Sequence, residues 1–402
     1  MKNPFNKEQQ MYLTGPERFW ILTFSTGLLA LSAPAGLDLM AIRLLVLEIF
    51  CVIGIFLSKG KTQRSAAIII YVIYIFWLCI GLTYSPAPAY GFRVILKYMY
   101  PLLIMLFASS VVRDKEVFLK AGIGARFVAL LSLIMSFSFV EHLIAPGVFW
   151  YGTARAINYI SICVFSAALF FYTGDKKKNA FYTVLFMLPC FLWVFRTSIM
   201  GTGVALMAFV FFKYKVKSLP LIFGMLVCGV IIVFTFPPLR EKMFYSDSIT
   251  IEDLQSGQLS QDDINSNARY TMWERLEDRF YHGHELVGSG TGSIQNYMYN
   301  NYVFGGLRVP HSDFVQMKCD SGLIGLILYI AIIFSVIIHS FVVFNKSCDT
   351  FVKICAIVAG SSMLGVLATL YSDNVVNYSM ATLSMPFGFY GMMLGLLKGE
   401  KK

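Results

Sequence analysis

Residues 308–344 read RVPHSDFVQMKCDSGLIGLILYIAIIFSVIIHSFVVF, and they join a polar segment directly to an apolar one. The apolar part, residues 318–344, is long enough to cross a bilayer, which takes about 20 residues of α-helix. The polar part extends back to residue 267 and is dense in Arg, His, Tyr and Gly. Cations and general-base candidates at the end of a membrane helix indicate chemistry on an anionic, membrane-borne substrate.

The rest of the sequence has the composition of a polytopic membrane protein. Hydrophobic residues make up 57% and charged residues 14% of the 402 positions, which is not the balance of a soluble domain. We predict an all-α fold with about twelve transmembrane helices, at residues 18–33, 37–57, 66–83, 92–112, 117–145, 156–173, 180–195, 197–213, 219–236, 318–344, 351–372 and 380–397.

Lysine and arginine cluster in alternate connections and set the predicted orientation. The basic connections contain Lys59, Lys61 and Arg64; Arg113 and Lys115; Lys176, Lys177 and Lys178; Lys213, Lys215 and Lys217; Lys346; and Lys398, Lys401 and Lys402. By the positive-inside rule, these connections and both termini are cytoplasmic in a multi-pass protein of the bacterial inner membrane. The net charge of +10 is thus explained by membrane topology, and no nucleic acid is expected as a partner.

The predicted helices divide the chain into three parts. Residues 1–236 hold helices 1–9, residues 237–312 form a periplasmic catalytic loop, and residues 313–402 hold helices 10–12. Within the loop, apolar side chains recur every four residues over 267–282, which predicts a short amphipathic helix at the membrane interface.

Metal and cofactor chemistry has little support in the sequence. Six of the eight cysteines fall within apolar spans and no CxxC spacing occurs, so we interpret them as buried apolar residues. Asp262-Asp263 could bind a divalent ion, but acidic pairs in polar loops are usually solvated. We therefore expect no metal and no cofactor. The turn GSGTGS, residues 288–293, is interpreted first as a hinge and second as an anion-binding nest.

His311 is the candidate general base. It lies between Pro310 and Ser312, which suit a helix start, so we expect it near the positive end of a helix dipole. That position favours the neutral imidazole, the form that a general base needs. The alternative is an interfacial histidine bonded to a backbone carbonyl. Asp313 could orient the imidazole or, more simply, cap the helix.

Several cations are predicted on the same side of the membrane as His311. Arg196 interrupts an apolar stretch, where a permanent charge needs a partner or a water-filled cavity, and Arg269 lies on the amphipathic helix. Guanidinium groups fit phosphate oxygens in a bidentate way, so the set indicates a diphosphate. Further candidates for binding the diphosphate or the acceptor are Arg308, Arg93, Lys97, Arg155 and Asp313. Snorkelling to lipid phosphates is the alternative for part of them.

One deeper arginine has a different interpretation. Arg126 lies within an apolar span, and we predict a structural ion pair with Glu48.

The spacing around His311 resembles that of a known family. His311-Ser312, nine residues, Gly322, two residues and Gly325 resembles the signature of the O-antigen ligase superfamily. This family includes O-antigen ligases, many O-antigen and capsule polymerases, and bacterial protein O-oligosaccharyltransferases.

Two further stretches are similar to the same family. Arg269, Trp273 and the turn Gly288-Ser289-Gly290 resemble its arginine-bearing outer loop, and Phe195-Arg196-Thr197 resembles its arginine at the outer end of a mid-chain helix. The layout of about twelve spans with a large outer loop before the tenth is also similar. The diagnostic residues all lie between about 190 and 330.

The resemblance implies transfer of a glycan from undecaprenyl diphosphate to an acceptor hydroxyl on the periplasmic face, without metal or nucleotide. His311 would deprotonate that hydroxyl, and Arg269 and Arg196 would stabilise the departing diphosphate. Attack opposite the leaving group would invert the anomeric centre. The acceptor would be a lipid A-core sugar or a protein for a ligase, and another lipid-linked repeat for a polymerase.

The alternative from a different class is a lipid-linked glycan flippase or another polytopic transporter. Such a protein would also have many spans and intramembrane cations, but it does not need a histidine beside an arginine in a long outer loop. Transporters built on repeats show matching halves, and none is visible in this sequence. A non-catalytic assembly scaffold is a third reading.

The lysine and arginine pattern makes the orientation testable. A topology reporter fused after Lys177 should be cytoplasmic, and one inserted near Gln258 should be periplasmic, because basic loops stay on the cytoplasmic side. Fluorescence and alkaline phosphatase fusions measure the two sides independently. Reporters on the same side would contradict the assignment of the catalytic face.

Overall fold

The computed structural model describes residues 13–29, 39–59, 62–135, 152–192, 194–244, 256, 269–301 and 307–400. Within these ranges the chain is mostly helical and no β-strand forms, which confirms the all-α fold class. The α-helices are α1 (Gly15–Thr26), α2 (Leu39–Leu57), α3 (Ala66–Thr83), α4 (Pro88–Val111), α5 (Lys115–Met135), α6 (Ile160–Tyr172), α7 (Lys176–Leu192), α8 (Arg196–Tyr214), α9 (Leu219–Thr235), α10 (Pro237–Met243), α11 (Arg269–Phe280), α12 (Ser293–Asn301), α13 (Asp313–Lys346), α14 (Thr350–Thr369) and α15 (Ser384–Glu400). Short 3-10 helices cover Gly152–Tyr159, Lys215–Ser218 and Val375–Tyr378.

Six helical stretches of the described residues are long and apolar enough to cross a membrane. They are α3, α4, α5, the continuous stretch Arg196–Thr235 that comprises α8 and α9, α13 and α14. Each of the twelve predicted spans overlaps a helix, but the number that crosses the bilayer stays a prediction, as does the division of the chain into three parts.

Several helices begin where the sequence supplies a cap. The Ser65 hydroxyl accepts a hydrogen bond from the Ile68 N–H at 3.3 Å before α3, and the Asp349 carboxylate accepts from the Phe351 and Val352 N–H groups before α14. Each such bond satisfies a donor that the first helical turn leaves without a partner.

The helices differ in what they face. α14 contacts α6, α8, α13 and α15, and its membrane-length window is 72% buried, so it lies at the centre of the bundle. By contrast, no residue of α9 is buried. Large apolar side chains on outer faces are exposed, among them Phe56, Phe76 and Phe223. An apolar exterior around a packed interior is what lipid, rather than water, requires of a helix bundle.

Helix α13 is broken at Gly322. This residue has φ 66° and ψ −171°, and the N–H groups of Leu323 and Ile324 bond to the Glu285 and Leu286 carbonyls instead of to their own helix. A Cβ at this position would overlap the Leu286 backbone. Glycine is therefore required both by the left-handed backbone and by the close approach of the loop.

The glycine-rich turn 288–293 packs into this break. The N–H groups of Gly292 and Ile294 each donate to the Asp320 carboxylate at 3.0 Å, and the Thr291 hydroxyl donates to the Leu78 carbonyl at 2.9 Å. The turn is thus bonded to α13 on one side and α3 on the other. The turn therefore has the backbone geometry of an anion-binding nest, and the carboxyl group that occupies it is that of Asp320 in the same chain.

The amphipathic helix predicted over 267–282 is confirmed as α11. Its Met272 and Leu276 are buried in a small apolar cluster with Ile294 and Met298 of α12 and Val315 of α13. The apolar face of α11 therefore packs on neighbouring helices of the protein.

The ion pair predicted between Arg126 and Glu48 is wrong. The Arg126 guanidinium donates to the Asn179 side-chain oxygen at 2.8 Å and stands 4.2 Å from the centroid of the Tyr182 ring. Both partners, Asn179 and Tyr182, belong to α7. The sequence pattern alone does not show that α7 packs beside Arg126.

The break in α13 generates a stability prediction. Gly322→Ala should lower the free energy of unfolding by about 1–3 kcal/mol, because it forces a left-handed alanine against the Leu286 backbone. Thermal unfolding of the purified protein in detergent measures the change. Gly203→Ala in α8 is the matched control, since a Cβ there meets nothing within 4 Å. Equal unfolding temperatures for the two variants would contradict the role given to Gly322.

Candidate functional site

The loop of residues 370–378, between α14 and α15, brings the candidate residues together. His311 Nδ1 lies 3.6 Å from Asp373 Oδ1, and the two side chains are 26% and 24% exposed. The contact is a charge–dipole or ion-pair contact rather than a short hydrogen bond. It points one nitrogen of the imidazole at a carboxylate.

His311 is held in an uncommon backbone conformation. Its φ is 50°, in the left-handed region that non-glycine residues seldom adopt. Ser312 follows as the N-cap of α13, accepting a hydrogen bond from the Val315 N–H at 3.3 Å, and the Trp273 indole donates to the Pro310 carbonyl at 2.6 Å. These contacts fix both sides of the histidine, as is common for residues in strained conformations at functional sites.

Asp313 is neither the helix cap nor the partner of His311. It is fully buried as the first residue of α13, and its carboxylate accepts from the Asn374 amide at 3.0 Å and the Val376 N–H at 3.1 Å. Its own N–H donates to the Leu370 carbonyl at 2.9 Å. The carboxylate therefore anchors the 370–378 loop from inside the protein.

Arg269 reaches the same loop from α11. A guanidinium N–H donates to the Ser372 carbonyl at 2.7 Å. Burial lowers the pKa of Arg269, and the neighbouring Asp373 carboxylate opposes that shift. The group stays cationic, because the ordinary arginine pKa lies far above neutral pH. A guanidinium has five N–H donors, so most of them are not used by this bond.

Arg196 is the first residue of α8 and adjoins the same point. The hydroxyl of its neighbour Thr197 lies 3.2 Å from the Ser372 hydroxyl. The starts of α8, α11 and α13 thus meet around residues 372 and 373. The three residues that sequence analysis ranked as catalytic belong to these helix starts and to the residues beside them.

The lower-ranked candidates divide into two groups. Lys97 donates to the Asn377 side-chain oxygen at 2.6 Å and so contacts the 370–378 loop. Arg93 and Arg308 are exposed, and each guanidinium lies over a tyrosine ring. Arg155 belongs to the 3-10 helix Gly152–Tyr159, and its side chain is outside the described part of the structure.

Asp373 is the site residue that sequence analysis missed. One signal was present, because Asp373 is the only acidic residue between Asp349 and Glu400. The pairing with His311 depends on how α13 and α14 pack, which local patterns do not contain.

Among the described residues, no group of three or more His, Cys, Asp or Glu side chains is placed to hold a metal ion. The pair Asp262-Asp263 lies outside the described residues.

Part of the chain matches a known protein family. Residues 181–330 match the family described as O-antigen ligase. The resemblance to the O-antigen ligase superfamily is confirmed. The match includes Arg196, Arg269 and His311, whereas Asp373 and Lys97 lie beyond it. No curated protein matches the chain.

The O-antigen ligase match indicates a general class of activity. Members of this family are O-antigen ligases and polymerases, so a membrane-bound, glycosyltransferase-like activity in polysaccharide biosynthesis is supported. The substrates of this family are, in general terms, a lipid-linked glycan and an acceptor.

The role of Asp313 as an anchor is testable. Asp313→Asn turns one acceptor oxygen into a donor that faces another donor, the Asn374 amide or the Val376 N–H. A buried donor left without its acceptor costs about 1–3 kcal/mol, and we expect a loss of unfolding free energy of that order. Thermal unfolding measures it. Asp278→Asn, at an exposed position on α11, is the control and should change nothing. An unfolding temperature like that of the control would show that the loop is held by other contacts.

Proposed function

We propose that the protein transfers a glycan from undecaprenyl diphosphate to an acceptor hydroxyl on the periplasmic face of the bacterial inner membrane. The observation that carries the proposal is the His311–Asp373 pair, with Arg269 bonded to the adjacent Ser372 carbonyl. A base and a cation at one point suit a reaction that removes a proton and releases a diphosphate.

The carboxylate defines the role of the imidazole. With Nδ1 beside Asp373, the tautomer that carries its proton on Nδ1 is favoured, and the Nε2 lone pair is left to accept a proton. The acceptor hydroxyl gives its proton to Nε2 as its oxygen bonds to the anomeric carbon. Asp373 then stabilises the imidazolium that forms.

The arginines act on the leaving group. As the bond between the anomeric carbon and the phosphate oxygen breaks, its electron pair stays on the diphosphate. Arg269 and Arg196 stabilise that charge, and the effect is large where water is partly excluded. Attack from the face opposite the diphosphate inverts the anomeric centre. The scheme uses neither a metal nor a nucleotide.

The distribution of charge supports a periplasmic site. Helices α4, α8, α13 and α15 run away from the site. The basic residues at or just beyond their far ends are Arg113, Lys213, Lys346 and Lys398. By the positive-inside rule, those far ends are cytoplasmic. The proposal includes three acceptors, namely a lipid A-core sugar, a lipid-linked repeat and a protein. A flippase would have no use for a carboxylate-oriented imidazole.

Substitution of the base, His311, should have a different effect from substitution of Arg269, which is proposed to bind the diphosphate. His311→Ala should reduce glycan transfer by roughly 100- to 10,000-fold while donor binding persists, because general-base contributions are of that size. Arg269→Lys keeps the charge but loses the bidentate geometry, so it should weaken donor binding and transfer together. The measurements are turnover of purified enzyme with undecaprenyl-diphosphate glycan and acceptor, and binding of the donor alone.

A second histidine provides the control for these experiments. His282 is exposed at the end of α11, and its nearest carboxylate, Asp278, is exposed as well, so His282→Ala should leave turnover unchanged. Near-normal turnover of His311→Ala would disprove the base assignment. An Arg269→Lys variant that is silent in both assays would reduce Arg269 to a structural anchor of the 370–378 loop.

A further inference from the structure

Two arginines and two tyrosines form a row next to the site. The Arg93 guanidinium carbon lies 5.7 Å from the centroid of the Tyr90 ring, and that of Arg308 lies 5.5 Å from the centroid of the Tyr299 ring. The two tyrosine rings pack on each other at 5.9 Å between centroids. This arginine–tyrosine row joins the first turn of α4, the helix α12 and the segment that leads into His311.

The two guanidinium groups of the row are held by tyrosine rings and not by carboxylates. Arg93 and Arg308 are exposed, and within the described ranges neither makes an ion pair. A cation–π contact holds a guanidinium through its flat face and does not use its N–H donors. Each arginine therefore keeps donors that can bind an anion, and each tyrosine lends an apolar surface beside it.

A buried amide borders the row. Gln295 lies one helical turn before Tyr299, so both occupy the same face of α12. It is only 7% exposed, and no partner for its Oε1 occurs in the part of the chain that the structure describes. An acceptor buried without a donor is costly. A sugar hydroxyl can supply such a donor.

The row is close to the proposed base, which takes the proton of the acceptor hydroxyl. Arg308 lies three positions before His311, so their Cα atoms are at most about 11 Å apart. That distance is comparable to the length of a disaccharide. Arg269 and Thr197 contact the 370–378 loop at Ser372, where the donor diphosphate is proposed.

We propose that the arginine–tyrosine row is a subsite for an acidic sugar residue of the acceptor glycan. The tyrosine rings pack against the C–H face of the pyranose, and the two guanidinium groups bind its carboxylate. Gln295 accepts a hydrogen bond from a sugar hydroxyl. This inference rests on the proposed function, because it assigns the chemical class of the acceptor to the same site.

The test is saccharide binding, measured without any transfer. The full-length protein in nanodiscs of zwitterionic lipid is titrated calorimetrically with tri-galacturonic acid and with neutral maltotriose. The acidic trisaccharide should bind at least about tenfold more tightly than the neutral one. Arg93→Gln and Arg308→Gln should each weaken its binding by about tenfold, as expected for loss of a charge-assisted hydrogen bond. Tyr299→Leu should weaken it as well.

A matched control exists on α11. The Arg279 guanidinium stands 4.6 Å from the centroid of the Tyr297 ring, so it is an exposed arginine on a tyrosine outside the row. Arg279→Gln should bind tri-galacturonic acid as the unmodified protein does. Equal losses for Arg279→Gln and Arg308→Gln would reduce the effect to general surface charge and overturn the subsite.

Two further outcomes separate this inference from its rivals. Binding of dihexanoyl phosphatidylglycerol that depends on Arg93 and Arg308, with no binding of tri-galacturonic acid, would make the row a lipid anchor and overturn the proposal. His311→Ala should still bind the trisaccharide. If that variant also retained transfer while Arg308→Gln lost binding, the catalytic proposal would fail and the subsite would stand.

Discussion

A carboxylate buried without donors is among the most costly groups that a protein interior can contain, and Asp313 avoids this cost by binding a distant loop. The Asn374 amide and the Val376 N–H donate to it, and its own N–H donates to the Leu370 carbonyl. These bonds hold the 370–378 loop against the start of α13. Because that loop carries Asp373 and Ser372, the contacts of His311 and Arg269 depend on it.

A second buried carboxylate does the same for the large loop. Asp320 accepts from the Gly292 and Ile294 N–H groups, and so fixes the glycine-rich turn against the first half of α13. Between the two anchors, Val315 and Cys319 pack with residues of α11 and α12 in a small apolar cluster. The short helices of the large loop are therefore held on α13 by the hydrogen bonds of Asp320 and by these apolar contacts. Arg269, on α11, is positioned as a result.

Local sequence features were sufficient for some of this site and not for the rest. The proline and serine around His311 predict a helix start, and the four-residue spacing predicts α11, because both depend only on neighbouring residues. Asp373 could not be assigned, since its contact with His311 requires α13 and α14 to be packed first. The same limit explains Arg126, whose partners lie on α7 rather than α2. It explains the glycine-rich turn as well, where an open nest and one already holding Asp320 have the same local sequence.

The spacing of the two anchors has a consequence for how the chain can change. Asp313 and Asp320 are seven residues apart, which at 3.6 residues per turn returns them to nearly the same face of the helix. An inserted or deleted residue between them would rotate one carboxylate by about 100° relative to the other. One of the two loops would then lose the aspartate side chain that accepts its hydrogen bonds, whatever residue was inserted or deleted. The number of residues between His311 and Gly322 therefore sets the angle between the two carboxylates around the helix axis. That number is constrained more tightly than the identity of most residues within the interval.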